Sequence, residues 1–329
     1  MGLFDKFKKK ISDDEILTQT TSEEVSEETK EIEDTEETSQ KSEEITEELK
    51  ENSKVFSGEV KPTSQTPRFS LVAENIFEVD KDESIAIAGN IHGKISIGDE
   101  FFIIHPKFRE PLTAKVYMLV VNKETCDSAS ECRVAIKILT KMPPEEIPKY
   151  AVISNIAPQI VNDPSKPVEN PFLLGLTTEY NRLVNESEFT FAFMVALLTS
   201  RYITPTDMEL SAPLDDGRVA IKDSKVNFKL LRHPNNENLL VLPLFTDKSA
   251  LSLWKDALTQ KDSNGKAKVL IMPFERFAQV GLKSGGIVIN PFGPAPVYVS
   301  KGNIANTLEL GKKTLARQQE AERRSDSTK

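Results

Sequence analysis

Residues 84–104 read SIAIAGNIHGKISIGDEFFII, and this stretch indicates how the first folded region of the chain is built. Isoleucine alternates with small residues from Ser84 to Ala88, which is the period-two pattern of a β-strand. Gly93 supplies the positive φ of a tight hairpin turn, and Gly98 turns the chain into the next strand. The stretch therefore predicts antiparallel strands joined by short turns.

Strand patterns of the same kind continue on both sides of this stretch. Six β-rich runs, each bounded by turn signals, fall between residues 68 and 156, and no run of helical period and length separates them. Short strands in this number favour a closed barrel, because closure leaves the sheet without exposed edges. The sequence therefore predicts a small all-β Greek-key barrel over residues 67–159.

A different pattern begins after residues 160–168, a stretch with Pro and Asp that we expect to be a linker. Asn170 is placed to cap a helix that starts at Pro171, and apolar residues then recur at helical spacing. Strands and helices mix further along the chain. This order predicts an α+β domain over 169–308, so the expected fold is multidomain.

The two ends of the chain are polar. Residues 11–60 carry 18 acidic and four basic side chains, whereas the whole chain of 329 residues has a net charge of −9. A segment so rich in Glu, Ser and Thr cannot bury enough apolar surface to offset the entropy lost on ordering. We therefore expect a long disordered acidic tether over 13–66 and a basic flexible tail over 309–329.

The first residues, MGLFDKFKKKIS, have the composition of a helix that lies in a membrane interface. At about 100° per residue the large apolar side chains share one face, and lysines flank it where they can reach lipid headgroups. This predicts an amphipathic basic helix over 1–12 that makes weak contact with an anionic membrane. A frayed terminus, or a helix docked on the protein itself, is the alternative. The candidate membrane-interface residues are Leu3, Phe4, Phe7, Ile11, Lys6, Lys8, Lys9 and Lys10.

No group of residues has the spacing of a catalytic, metal or nucleotide site. Cys126 and Cys132 are distant in sequence from every histidine, and none of the three histidines has a carboxylate or cysteine at metal-ligand spacing. The chain lacks a G-x-x-x-x-G-K-[ST] loop and a G-x-S-x-G elbow. A body that is close to neutral outside the acidic segment argues against DNA as a partner. We expect neither a cofactor nor an enzymatic reaction.

The segment GNIHGKISIGDEFFII at 89–104 resembles the second domain of translational GTPases of the elongation factor Tu type. The resemblance extends over about 68–158 and implies a β-barrel, with contact to ribosome or tRNA as the property such a barrel would retain. No GTPase domain accompanies it, Asn90 stands where the family has Arg or Lys, and Tyr150 stands where it has Gly. The matching residues are Gly89, Gly93, Ile95, Ile97, Gly98 and Asp99.

An ordered set of segments from about 168 to 308 resembles the N-terminal domain of the SseB family, the enhanced-serine-sensitivity proteins. The set runs from Asn170-Pro171 and FLLGL through LLTSRYITP and VLPLFTD to Trp254 and GGIVINPF. The resemblance implies an α+β domain and brings no catalytic residue with it.

Six residues of this region form a candidate partner face. Thr246 and Asp247 are typical of a helix cap, although a phosphate or a peptide terminus can also bind at a helix start. Trp254 and Phe245 can line a peptide groove or pack in the core. The candidates are Phe245, Thr246, Asp247, Trp254, Asn290 and Pro291.

The sequence thus favours a non-enzymatic interaction or adaptor protein of the SseB family, with an unknown protein partner. A translation accessory factor that contacts ribosome or tRNA through the barrel is the alternative. No segment has the pattern of a secretory signal, and no apolar run approaches the roughly 20 residues of a membrane span. We therefore expect a cytoplasmic protein that associates loosely with the inner face of the membrane.

Overall fold

The alternating residues around Ser84 form the longest strand of an antiparallel sheet in the computed structural model of the chain. The predicted membrane helix and acidic tether, and most of the predicted linker, lie outside the residues that the structure describes. All described residues belong to one compact unit, Glu59–Lys329. The described residues are 68–80, 84–108, 110–158, 167–209, 225–233, 236–255, 269–293 and 295–326.

The described residues up to 158 form a single antiparallel sheet of nine strands. The strands are β1 (Ser70–Val72), β2 (Asn75–Asp80), β3 (Ser84–Ser96), β4 (Glu100–Ile104), β5 (Leu112–Lys115), β6 (Met118–Val121), β7 (Glu124–Cys126), β8 (Ser128–Leu139) and β9 (Val152–Ser154). Their order is β5-β4-β9-β1-β3-β8-β6-β7, and β2 also pairs with β3. The prediction of a strand-rich, barrel-like region is confirmed.

The sheet curls back on itself because β5 and β6 are successive segments of one bent stretch. β5 pairs with β4, whereas β6 pairs with β8 on the other side of the sheet. At the bend, the Val116 amide donates to the Asp99 carbonyl at 2.9 Å and the Tyr117 amide donates to the Lys137 carbonyl at 3.0 Å. Inside the curl lies an apolar core that includes Ile85 and Ile87, the side chains that the alternation predicts to be buried.

The second region contains helices and strands in alternation, as the sequence predicts. The helix α1 begins at Pro171 after Asn170, and α2 follows it closely. The elements are α1 (Pro171–Leu183), α2 (Ser187–Thr199), β10 (Arg201–Glu209), β11 (Lys225–Phe228), β12 (Leu231–His233), β13 (Asn236–Leu244), α3 (Lys248–Ser252), β14 (Val269–Pro273), α4 (Phe274–Lys283), β15 (Ile287–Ile289), β16 (Val297–Val299) and α5 (Lys301–Asp326).

Two small sheets meet at the centre of this region. One has the order β11-β10-β14, and the other has the order β12-β13-β15-β16. A bridge between Ile203 and Phe245 joins them, with amide-to-carbonyl distances of 2.9 Å in both directions. The pairing of β13 with β15 is parallel, and the other pairings are antiparallel. The prediction of an α+β region is therefore confirmed.

The C-terminal segment differs from its prediction, because α5 continues to Asp326 where a flexible tail was expected from residue 309. The helix packs on α2 and α4, and it buries Ile304 and Thr307 completely. One turn further on, Glu309 and Lys313 form an ion pair at 2.7 Å with the i,i+4 spacing that supports helices. Burial of side chains in the first turns of α5 thus stabilises the helix, although the polar composition of its later residues predicts a flexible tail.

The barrel-like region and the α+β region share one apolar core, a feature that the sequence does not predict. Four residues of the first region, Val72, Ile104, Tyr150 and Val152, belong to the core cluster built by α1, α2 and α4. The Tyr150 ring meets Phe189 of α2 edge-on, with 5.4 Å between ring centroids. The two regions are therefore packed together, although the linker pattern over 160–168 predicts separate domains.

Helix α1 lies very close to strand β9 because residue 175 is a glycine. A Cβ atom at Gly175 would stand 2.5 Å from Cγ1 of Val152, which is closer than real Cβ atoms approach a neighbour. Both atoms belong to packed elements, so neither can move away cheaply. The contact between the two regions thus depends on the missing side chain.

We predict that Gly175→Ala lowers the free energy of unfolding by about 1–3 kcal/mol, because the added methyl group overpacks the contact with Val152. The matched control is Gly302→Ala in the exposed first turn of α5, where a Cβ atom would meet Ser300 Oγ only at 3.8 Å. This control should change stability by less than about 1 kcal/mol. Urea denaturation of both variants measures the difference, and equal midpoints would contradict the close contact.

Candidate functional site

A cleft of about 290 Å³ lies where the barrel-like region meets α1. Its apolar lining includes Phe69 and Leu174, one from each region. Three ionisable side chains, Arg68, His92 and Glu131, also line it. An apolar lining with a few polar groups is the usual character of a binding site, so this cleft is the candidate functional site.

The centre of the polar side is His92, which stands between two carboxylates. Its Nε2 is 2.6 Å from Oε1 of Glu179 on α1, and its Nδ1 is 3.6 Å from Oε2 of Glu131 on β8. A β-bulge presents these groups, because the pairing of β3 with β8 shifts between Ile91 and Lys94. Glu131, opposite the bulge, has a φ of 47°, which is the left-handed region.

Glu179, which contacts the lining residue His92, is 3 % exposed. Besides His92, it accepts hydrogen bonds from Nε of Arg182 at 2.6 Å and from the Asn90 amide at 3.4 Å. A buried charge needs partners of this kind, since an unpaired one would be costly. The three donors compensate it fully.

The ionic contacts continue across the junction through Glu74, which follows β1. Arg182 of α1 is 2.7 Å from the Glu74 carboxylate, and Arg133 of β8 is 3.0 Å from it. These two arginines and Glu74 join an element of the α+β region to two elements of the barrel-like region. The junction therefore has a charged layer beside its apolar core.

The surroundings shift both key pKa values toward the charged forms. The hydrogen bond to Glu179 raises the pKa of His92 above its ordinary value of 6.5, against the opposing effect of burial. Burial alone would raise the pKa of Glu179, but the hydrogen bonds from His92 and Arg182 outweigh it, and the pKa is lowered. The imidazolium and the carboxylate stabilise each other.

Arg68 connects the cleft to a second polar cluster in the α+β region. Its guanidinium is 3.0 Å from Glu169 and 3.6 Å from Asp247. Burial raises the pKa of Glu169, Arg68 opposes that shift, and the neighbouring charge of Asp247 adds to it. Asp247 is one of the residues that the sequence places on a partner face.

The structure brings the candidate partner-face residues together and buries most of them. The Thr246 amide donates to Oδ1 of Asn290 at 3.0 Å, and Nδ2 of Asn290 donates to the Thr246 hydroxyl at 2.9 Å. Asp247 caps α3 by accepting from the Ala250 amide at 2.9 Å, which confirms the cap expected from the sequence. The Asn170 amide adds a bond to the Thr246 carbonyl at 2.6 Å.

The aromatic members lie beside this polar cluster. Trp254 is half-buried between Phe245 and Phe292, with ring centroids at 6.1 Å and 5.5 Å. Phe245 is fully buried, and Pro291 is buried as well. Of the six candidates Trp254 alone is more than slightly exposed, so a role for this set in partner binding stays a prediction.

Sequence reasoning missed the residues that form the cleft. In the sequence, His92 has no carboxylate or cysteine at metal-ligand spacing, whereas in the fold Glu131 and Glu179 reach it from distant parts of the chain. One signal was present: Glu179 lies three residues after Leu176 and four before Leu183, on the buried stripe of α1. A charged side chain on such a stripe indicates a buried ionic partner.

Among the described residues, no group of three or more His, Cys, Asp or Glu side chains is arranged to hold a metal ion. No helix in the part of the chain that the structure describes is long and apolar enough to cross a membrane.

Part of the chain is similar to a known protein family. The family model for the SseB protein N-terminal domain matches residues 180–306, from within α1 to within α5. The resemblance expected over 168–308 is confirmed across that range, and the barrel-like region and the cleft residues before 180 lie outside it. No curated protein matches the chain.

We predict that Asn290→Ala lowers the free energy of unfolding by about 1–3 kcal/mol, because the buried Thr246 amide loses its acceptor. Asn303→Ala, an exposed position on α5, is the control and should have little effect. Thermal and urea denaturation compare the two variants. An Asn290 variant as stable as the control would show that this polar cluster does not hold the fold.

Proposed function

We propose that this protein is a non-enzymatic interaction protein and that it binds a partner protein in the cleft between its barrel-like and α+β regions. The observation that carries the proposal is the cleft itself, with apolar walls supplied by both regions and ionisable groups along one side. A segment of a partner with an apolar side chain would fill such a site and exclude water from it.

The arrangement of His92 supports binding over catalysis. Ser70 lines the same cleft and lies opposite His92 in the strand pairing, which is a placement that a nucleophile and its base would need. Both ring nitrogens of His92 face carboxylates, however, and these favour the protonated ring, which has no lone pair to take a proton from Ser70. The ionisable groups around His92 pair with one another.

The match to the SseB domain supports a protein built around this α+β region, and we propose an adaptor role of the SseB type for it. The cleft would then have one wall from the SseB-like domain and a second wall from the barrel-like region, so the SseB-like domain alone would not form it. On this proposal, the partner contacts both regions at once.

A second candidate is a translation accessory role through the outer face of the barrel-like region, as its resemblance to elongation factor Tu implies. Phe77 and Tyr117 are 52 % and 55 % exposed there. Phe77 and Lys137 lie on either side of β3, because both pair with the same residue of that strand. The Nζ atom of Lys137 is 6.0 Å from the centre of the Tyr117 ring. Exposed aromatic rings beside a cation are suited to stacking on RNA bases.

We predict that filling the cleft abolishes partner binding. Ala295→Trp places a large side chain in the lining of the cleft, and Ala305→Trp places the same side chain on the exposed face of α5. In affinity capture with the full chain, proteins retained by the wild type should fall at least about tenfold with the first variant and stay unchanged with the second.

Equal capture by both tryptophan variants would contradict the cleft as the binding site. Retained ribosomes that are lost when Phe77 and Tyr117 are both changed to alanine would favour the translation role instead. Co-sedimentation with ribosomes at low and high salt measures that outcome directly, because contacts to phosphate weaken as salt rises.

We also propose that residues 1–12 attach the protein weakly to anionic membranes from the cytoplasmic side. Each lysine near such a surface contributes about 1 kcal/mol, and burial of large apolar side chains adds to this. Full-length protein should pellet with anionic vesicles at low salt, and Phe4→Glu/Phe7→Glu should pellet at least severalfold less. Deletion of residues 1–11 provides the baseline, and equal pelleting of all three proteins would refute the attachment.

A further inference from the structure

The imidazole of His92, which lines the cleft, makes contacts to both regions. It projects from β3 of the barrel-like region and contacts Glu179 of α1 at 2.6 Å, while Glu131 of β8 faces its other nitrogen at 3.6 Å. We propose that His92 is a pH-sensitive latch on the barrel-like wall of this cleft, which holds the Glu131 side chain at the cleft when protonated and releases it when neutral. The inference rests on the proposed function, because it describes how access to the same binding site is regulated.

The proton on His92 matters for its contact with Glu131 but little for the pairing of Glu179. Glu179 keeps Arg182 and Asn90 as donors whatever the state of the imidazole. The exposed carboxylate of Glu131, in contrast, has the Gly93 amide at 2.6 Å and His92 as its partners near the cleft. Arg68, the other cation in the lining, is directed to Glu169 and Asp247.

Loss of the proton reverses the interaction with Glu131. The imidazolium has an N–H on each nitrogen and donates toward both carboxylates. A neutral ring that still donates from Nε2 to Glu179 presents the lone pair of Nδ1 to Glu131, and two electron-rich atoms then face each other. The proton leaves to solvent, and the Glu131 side chain, which is 65 % exposed, is free to turn outward.

The backbone at Glu131 favours such a release. The residue occupies the left-handed region opposite the β-bulge, a conformation that non-glycine residues adopt only when their contacts hold them there. The strand pairs Ile91–Cys132 and Lys94–Ser130 flank the residue, and its side chain is held by the amide of Gly93 and the ring of His92. Weakening the contact to His92 therefore frees the Glu131 side chain and loosens the bulge between those two pairs.

The direction of the pH dependence follows from the two pKa shifts. Because the pKa of His92 is raised in the folded protein, its contribution is fully present below 6.5 and is lost as pH rises through the raised value. Because the pKa of Glu179 is lowered, its contribution is fully present above 4.5 and is lost as pH falls through the lowered value. The latch is therefore strongest between pH 4.5 and 6.5, and Glu131 is released from His92 as the solution becomes alkaline.

The test is a pH series on the full chain without a partner. NMR titration of the three imidazoles, with His92→Gln identifying the signal, should give a pKa above 6.5 for His92. Amide hydrogen exchange of β8 around Glu131 should be about tenfold slower in the wild type than in His92→Gln at pH 6, and the two should agree at alkaline pH. His233→Gln, at the edge of the other sheet, should leave both measurements unchanged.

Either a His92 pKa at or below 6.5, or the same exchange ratio at all pH values, would overturn the latch. Glu131→Gln provides a second variant that keeps the size of the side chain, and it should remove the pH-dependent change in exchange. If the pH-dependent change in amide exchange is as large in that variant as in the wild type, the proposal is also refuted. Since no partner is present, these results are independent of whether the cleft variants lose partner capture.

Discussion

The close contact between helix α1 and strand β9 is the constraint on which the rest of the structure depends. Gly175 has no side chain, so Val152 packs directly against the helix, and the Tyr150 ring fills the adjacent space against Phe189. This contact fixes the separation of the two regions. The width of the cleft follows from it, and so does the 2.6 Å distance between His92 and Glu179.

The elements of the fold are predictable from the sequence because their signals are local. Alternation around Ser84, the Asn170-Pro171 start of α1 and the hairpin of β12 with β13 each depend on residues a few positions apart. The cleft is not predictable in this way, because 87 residues separate His92 from Glu179. Helix α5 was missed for a related reason, since its order comes from packing on α2 and α4 rather than from its own composition.

Polar clusters at the junction have two different physical roles. Around Thr246 and Asn290, hydrogen bonds from buried amide groups and the Asp247 cap satisfy the backbone where β13 ends and α3 begins. Around His92 and Glu179, the groups are ionised and stabilise each other across two regions. Sequence motifs revealed the first cluster, because its members flank turns and caps, while the second required the folded arrangement. Arg68 contacts Asp247 on one side and lines the cleft on the other, so the two clusters are physically connected.

Tyr150 has a consequence for how the chain folds during synthesis. It holds a φ of 64°, which is unfavourable for a bulky residue, and its hydroxyl donates to Glu186 just before α2. The barrel-like region leaves the ribosome first, but the ring and hydroxyl of Tyr150 have no docking site until α2 follows. The backbone of the turn before β9 can form first, because the Tyr150 amide donates to the Ala73 carbonyl at 2.7 Å within the barrel-like region. The Tyr150 side chain, in contrast, obtains its contacts with Phe189 and Glu186 only once the chain has been made as far as α2.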